Sequence, residues 1–169
     1  MQGTLRRIIP MEIAGLFICK CERCIDPTEL GTYLSALKCQ NCPTGYLLPV
    51  DPVDSFSDWY CSHCPCVLSD EEAMDIIEDA EMSAGYPKKD ILGEEDVNLL
   101  LEYVETFSGR ILHPRHYILF EVNARILAAQ HAWLEKMTGE ELDGFIQRCQ
   151  ELIKTTDVIM PGYNEQRGE

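Results

Sequence analysis

Two cysteine knuckles, Cys39-Gln-Asn-Cys42 and Cys61-Ser-His-Cys64, stand 18 residues apart and constrain this chain more than any other feature. Two residues between cysteines let one tight turn aim both sulfurs at a common point, and a tetrahedral ion then ties two such turns together. Residues 43–60 between them hold Gly45, Pro49 and Pro52, with short apolar stretches only at Tyr46-Leu47-Leu48 and Trp59-Tyr60. A segment this poor in apolar side chains cannot fold unaided, so zinc is expected to supply much of the folding free energy of a ribbon-like module over residues 26–66. Four thiolates leave no position open for water, which makes the site a structural staple. His63 and Cys66, beside the knuckles, are read as bystanders.

A second cluster, Cys19-Lys-Cys21-Glu-Arg-Cys24, supplies only three sulfurs. A closed structural site needs a fourth ligand, and Cys66, His63 and Cys149 are the spare candidates within the chain. Nothing in their spacing selects one of them, so the simplest expectation is a ligand from sequence outside this chain. The reading as metal ligands depends on the compartment. Arg6-Arg7 followed by residues 8–18 has the look of a signal peptide, but Pro10 and Glu12 interrupt the apolar run and no small-residue cleavage site follows. The odd total of nine cysteines and the repeated two-residue spacing point to metal in a reducing cytoplasmic or nuclear setting.

Charge divides the chain. Residues 1–66 hold five basic and seven acidic side chains, whereas residues 67–169 hold nine and 22, for a formal net charge of −15 overall. Such an excess of carboxylates repels phosphate backbones, so direct nucleic-acid binding is not expected. No apolar run approaches the roughly 20 residues of a membrane span.

The acidic half reads as helices. Ser69-Asp-Glu-Glu72 forms a capping box ahead of Ala73, Ile77, Ala80 and Ala84 at helical spacing, with Gly85 and Pro87 as the stop. Val97, Leu100, Leu101, Val104 and Phe107 mark a second helix, ended by Gly109. A third is expected from Pro114 to about Leu134, apolar on most faces and therefore central. Thr138-Gly-Glu-Glu141 caps a fourth, whose stripe includes Leu142, Phe145, Ile146, Cys149, Leu152 and Ile153. The fold expected is mainly α: a small zinc-stabilised N-terminal region, then an antiparallel helical lobe over residues 67–169 with a core of its own. His113 and His116 are read as a helix start with one packed histidine, and Cys149 as a small core side chain.

The segment Phe17-Ile-Cys19-Lys-Cys21-Glu-Arg-Cys24 resembles the post-SET segment of SET-domain lysine methyltransferases, which places residues 1–25 at the end of a SET domain. Asp26-Pro-Thr-Glu-Leu-Gly-Thr-Tyr33, Gly45-Tyr-Leu-Leu-Pro49, His113-Pro-Arg-His-Tyr117 and Pro161-Gly-Tyr163 extend the resemblance to the arthropod, msta-like branch of SET and MYND domain proteins. The resemblance implies that the fourth thiolate of the Cys19, Cys21, Cys24 site comes from the SET core, and that the helical lobe is tetratricopeptide-like, although no clean 34-residue repeat is visible. It also implies that Phe17 stacks on the adenine of S-adenosylmethionine. The same ring could equally pack against a SET core.

The family's Asn-His-x-Cys segment and the catalytic tyrosine after Gly-Glu-Glu should precede the post-SET cysteines, and neither does. Gly93-Glu-Glu95 and Gly139-Glu-Glu141 follow the cysteines, at helix starts, and are false matches. The expectation is the C-terminal part of a methyltransferase whose catalytic core and S-adenosylmethionine pocket lie elsewhere, with no catalytic residue here. Its partners would be that core and a protein substrate. The alternative is a non-catalytic zinc scaffold whose acidic surface binds basic protein segments.

Overall fold

The computed structural model describes residues 2–85, 87–88 and 91–161. Pro161 is thus included, but the rest of the Pro161-Gly-Tyr163 segment lies outside the described residues. In chain order the elements are α1 (Thr4–Ile13), a short α2 (Glu22–Ile25), strands β1 (Leu37–Lys38), β2 (Tyr46–Pro49), β3 (Trp59–Cys61) and β4 (Val67–Leu68), then α3 (Asp70–Ala84), α4 (Glu94–Phe107), α5 (Tyr117–His131), a 3-10 turn (Leu134–Lys136) and α6 (Gly139–Ile159). The fold is mainly α, with the cysteine clusters in a small N-terminal region and a helical lobe after it.

The four strands form an antiparallel meander in the order β1-β2-β3-β4, with Leu47 opposite Cys61 and Trp59 opposite Leu68. Tight knuckle turns connect β1 to β2 and β3 to β4, so that one end of the sheet carries both cysteine pairs. Alternation buries Leu47 and Trp59 while Tyr60 faces solvent.

Both capping boxes form. Ser69 Oγ accepts from the Glu72 amide and the Glu72 carboxylate accepts from the Ser69 amide, and Thr138 and Glu141 repeat the pattern. Helix α4 starts where Gly93 N–H donates to the Asp96 carboxylate. Helix α5 begins later than the Pro114 start expected from sequence. Pro114 and Arg115 sit in a turn closed by the His116 amide on the His113 carbonyl, and His116 is the N-cap, its Nδ1 accepting from the Ile118 amide. An imidazole that can accept competes for the cap, and the turn puts it two residues past the proline.

Helix α1 occupies the stretch that reads in the sequence only as an interrupted apolar run. Pro10 sits inside it and contributes no amide to the ladder, yet the helix persists because Leu5 and Ile8 are buried against the body of the protein. Arg6 Nε lies 3.3 Å from the Glu81 carboxylate on α3, which also accepts from Tyr117 Oη on α5 at 2.6 Å. Gly3 packs so closely that a Cβ there would lie 2.2 Å from Ser35 Oγ.

The expectation of separate cores is corrected. Leu37, Cys39, Leu47 and Trp59 of the sheet region belong to one buried cluster with Ala73, Ile77, Leu100, Leu119 and Ile126 of the helices and Leu112 of the α4–α5 connection. The cause lies in the backbone: the Lys38 amide donates to Ile111, His113 to Ala36 and Tyr117 to Leu34, so residues 34–38 are hydrogen-bonded as a rail along the α4–α5 connection. Polar anchors finish the joint between helices, with Tyr103 Oη on the Ala80 carbonyl at 2.9 Å and the Arg125 guanidinium on the carbonyls of Ala84 and Pro87 at 2.7 Å each. Among the described residues no helix is long and apolar enough to cross a membrane.

Candidate metal centre

The sheet brings Cys39, Cys42, Cys61 and Cys64 together, with all four sulfurs within 4.8 Å of one another. Cys39 Sγ lies 3.7 Å from Cys64 Sγ, and Cys42 Sγ 3.6 Å from Cys61 Sγ. Sulfurs at about 2.3 Å from a tetrahedral zinc would be about 3.8 Å apart, so the thiols stand at the spacing that the ion requires. The knuckles are tied internally. The Asn41 amide donates to Cys39 Sγ and the His63 amide to Cys61 Sγ, each at 3.4 Å. Such bonds favour thiolate over thiol.

The charge on the four sulfurs cannot develop evenly. Burial raises the Cys39 thiol, but the Asn41 amide and the neighbouring thiols outweigh it and bring it down to about 6. At Cys64 the amide of Cys66 pulls down, while burial and the crowd of sulfurs push harder and raise it to about 12. The first thiolate therefore opposes the others, and a bound cation is what lets all four ionise. Two other residues serve this end of the sheet. Gly45 lies against the sulfurs, where a Cβ would sit 2.2 Å from Cys61 Sγ and 2.7 Å from Cys42 Sγ. Lys38 Nζ donates to the carbonyls of Cys42, Pro43 and Gly45 at 2.7–3.2 Å and so clamps the first knuckle shut. Neither residue belongs to a ligand pattern, so spacing alone does not find them.

Cys19, Cys21 and Cys24 also converge within 4.8 Å, with Cys21 and Cys24 sulfurs 3.6 Å apart. Cys66, His63 and Cys149 do not join them, and among the described residues this cluster has three sulfurs and no fourth ligand. The Cys24 amide and thiol lower Cys21 to about 7, whereas burial raises Cys24 to about 11 against the pull of Arg7. Arg7 Nη2 reaches Cys24 Sγ at 3.5 Å and joins the cluster to α1. Arg23, inside the cluster, pairs at 3.0 Å with Glu29, which is fully buried and also accepts from Ser35 Oγ at 2.6 Å. That pair was not legible as a functional contact, since Arg23 sits on α2 and Glu29 and Ser35 in two separate turns.

Phe17, two residues before the first of these cysteines, is 74% exposed, in company with exposed Ile13 and Leu16. His113 and His116 share no metal group: His116 is wholly buried, and His113 is stacked on Tyr33 at 4.8 Å.

The chain is similar to SET domain-containing protein SmydA-8 of Drosophila melanogaster. Against isoform B the identity is 31% over 154 residues, covering 89% of this chain and 33% of the relative. Against isoform A it is 29% over 154 residues, covering 89% and 32%. The chain thus spans about one third of the length of the curated relatives that it matches. No family model matches, and no solved structure matches. The similarity supports kinship with SET-domain proteins of the SmydA-8 kind, and the cysteine clusters are placed so that they can hold zinc.

Proposed function

We propose that this chain acts as the C-terminal portion of a SET-domain protein-lysine methyltransferase, with the catalytic SET core supplied by sequence outside it. The observation that carries the reading is the incomplete three-sulfur cluster beside an uncovered aromatic ring. Cys19, Cys21 and Cys24 would hold a post-SET zinc with a fourth thiolate from the core, and the core would cover Ile13, Leu16 and Phe17. In the assembled enzyme S-adenosylmethionine would supply the methyl group. Phe17 would present a flat ring to the adenine, Arg7 and the Arg23–Glu29 pair would hold the turn that sets its position, and the tetratricopeptide-like helical lobe would shape one wall of the substrate cleft. Holding the lysine amine in line with the methyl donor is where most of such a rate enhancement arises.

The test is zinc stoichiometry together with cofactor binding. The chain alone should retain one zinc tightly, in the four-cysteine site, and lose the second to a mild chelator. A SET core joined to it should make the second equally resistant. Calorimetry on the chain alone should show no micromolar S-adenosylmethionine site, since one stacked ring contributes on the order of 1 kcal/mol and micromolar binding needs roughly 8. Two equally resistant zincs without a core, or a micromolar site abolished by Phe17→Ala, would overturn the division of labour. A non-catalytic scaffold for basic protein segments is the second reading, favoured by the solvent-facing carboxylates of Glu71, Asp75, Glu78 and Asp79 on α3. Saturable binding of a lysine-rich peptide by a full-length protein inert in methyl transfer would select it.

A further inference from the structure

A cleft of about 730 Å³ opens on the face of the helical lobe between α5, α6 and the loop at residues 29–33. Its wall includes Arg148, Arg115, His113, Tyr33, Asn123 and Glu151. In a chain with a net charge of −15, two guanidinium groups on one cleft wall are an unexpected concentration of positive charge. Arg115 has a nearby carboxylate in Glu151, which feels its field, but Glu151 is held first by Lys154 at 2.7 Å. Arg148 has no ion-pair or hydrogen-bond partner among the described residues, although the protein desolvates it enough to lower its pKa. Its Nη1 lies over Gly144 one turn back, 3.5 Å from where a Cβ would be. A partly desolvated guanidinium without an acceptor is a cost that a bound anion would remove.

The rest of the wall is held in place by a costly backbone. Glu29, Leu30 and Tyr33 adopt positive φ values of 52°, 61° and 57°, conformations that non-glycine residues enter at a cost of about 1 kcal/mol or more each. Buried Glu29 and its bonds to Arg23 and Ser35 maintain this loop. The loop stacks Tyr33 on His113, and Tyr46 meets the same imidazole edge-on at 4.5 Å. His113 Nδ1 accepts from the Arg115 amide, so the proton of the neutral ring resides on Nε2, a further donor on this wall.

We propose that this cleft binds an oxyanion, a carboxylate or phosphate group, gripped by the Arg148 guanidinium with Arg115 assisting. The fork of arginine donors matches either group in two-point contact, and the asymmetry of the site, with Arg148 unpaired and Arg115 partly paired, makes Arg148 the primary grip. The inference does not rest on the methyltransferase reading, because neither a cluster cysteine nor Phe17 lines the cleft.

The experiment is an NMR titration of the zinc-loaded full chain with inorganic phosphate and, separately, with succinate, at an ionic strength held constant with sodium chloride. The arginine Nε–Hε signals and the His113 ring are followed. A saturable shift at Arg148 with either anion supports the proposal, and which anion saturates first identifies the group. Arg148→Gln should weaken binding at least tenfold. Arg115→Gln, an exposed change that leaves packing alone, should weaken it about threefold. Glu151→Gln should tighten it by removing the competing carboxylate. Absence of a saturable shift with both anions, an equal response to chloride, or unchanged affinity in a folded Arg148→Gln protein would overturn it. If Arg148→Gln does not fold, Arg115→Gln and Glu151→Gln moving binding in the same direction would overturn it instead.

Discussion

A single methyl group at position 45 provides the sharpest test of the four-cysteine site. In Gly45→Ala the added Cβ would stand 2.2 Å from Cys61 Sγ, 2.7 Å from Cys42 Sγ and 3.2 Å from the Cβ of His63. A relaxed carbon–sulfur contact needs well over 3 Å, so each sulfur must retreat by several tenths of an ångström to more than one. Without metal the thiols can rotate away and the change costs little. With metal they are fixed at the spacing of a coordination tetrahedron, and the misfit falls on the bound state alone. Overpacking of this kind costs about 1 to 3 kcal/mol, which is a loss of zinc affinity of about five- to 150-fold. Competition against a chromophoric chelator measures it directly. Gly139→Ala, where a Cβ meets nothing within 4 Å, is the matched control and should leave zinc affinity unchanged. If Gly45→Ala holds zinc as tightly as the parent, within twofold, the four thiols do not converge on one ion.

Two further outcomes follow from the packing. Cys42→Ser should remove the ribbon zinc and lower the thermal midpoint of the helices as well, in a single transition by far-ultraviolet circular dichroism, because Leu37, Cys39, Leu47 and Trp59 share the helical core; two separate transitions would refute the shared core. Burial holds His116 down to about 3, and burial with Arg115 holds His113 down to about 4, both below the usual 6.5. Their contribution to stability is therefore complete above pH 6.5 and is lost as the pH falls toward 3 to 4. For His116 the loss by pH 5 is about 2 kcal/mol. His116→Asn, which keeps an acceptor at the helix N-cap, should flatten this acid limb relative to the parent in urea titrations at pH 7 and pH 5. Equal acid sensitivity of the two proteins would show that His116 is not buried as a neutral ring.

What was legible in the sequence was local in origin. Capping boxes at Ser69 and Thr138 act within one turn, and the knuckles bind within four residues, so both can be read directly. What was not legible came from partners far along the chain. Helix α1 survives Pro10 because Leu5 joins a core cluster built from residues much later in sequence, and a proline in an apolar run looks like a break when those partners are unseen. The burial of Glu29 depends on Arg23 arriving from α2 and Ser35 from a later turn. Helix α6 has the apolar stripe that its periodicity predicts, yet Leu142, Ile146 and Ile153 on it remain substantially exposed. Periodicity shows that a face is apolar but not how much of it is covered.

The rail of hydrogen bonds from residues 34–38 to residues 111–117 bears on how such a protein can change over evolutionary time. Modules that fold alone can be shuffled, duplicated or lost as units. Here the cysteine-bearing sheet shares one buried cluster with α3, α4 and α5, so neither piece can be transplanted without exposing the other's interior. Drift in one half must be answered by compensating change in the other. Substitutions at Leu37 and Leu112, which meet across the rail, are thus expected to travel in pairs through any lineage that keeps both.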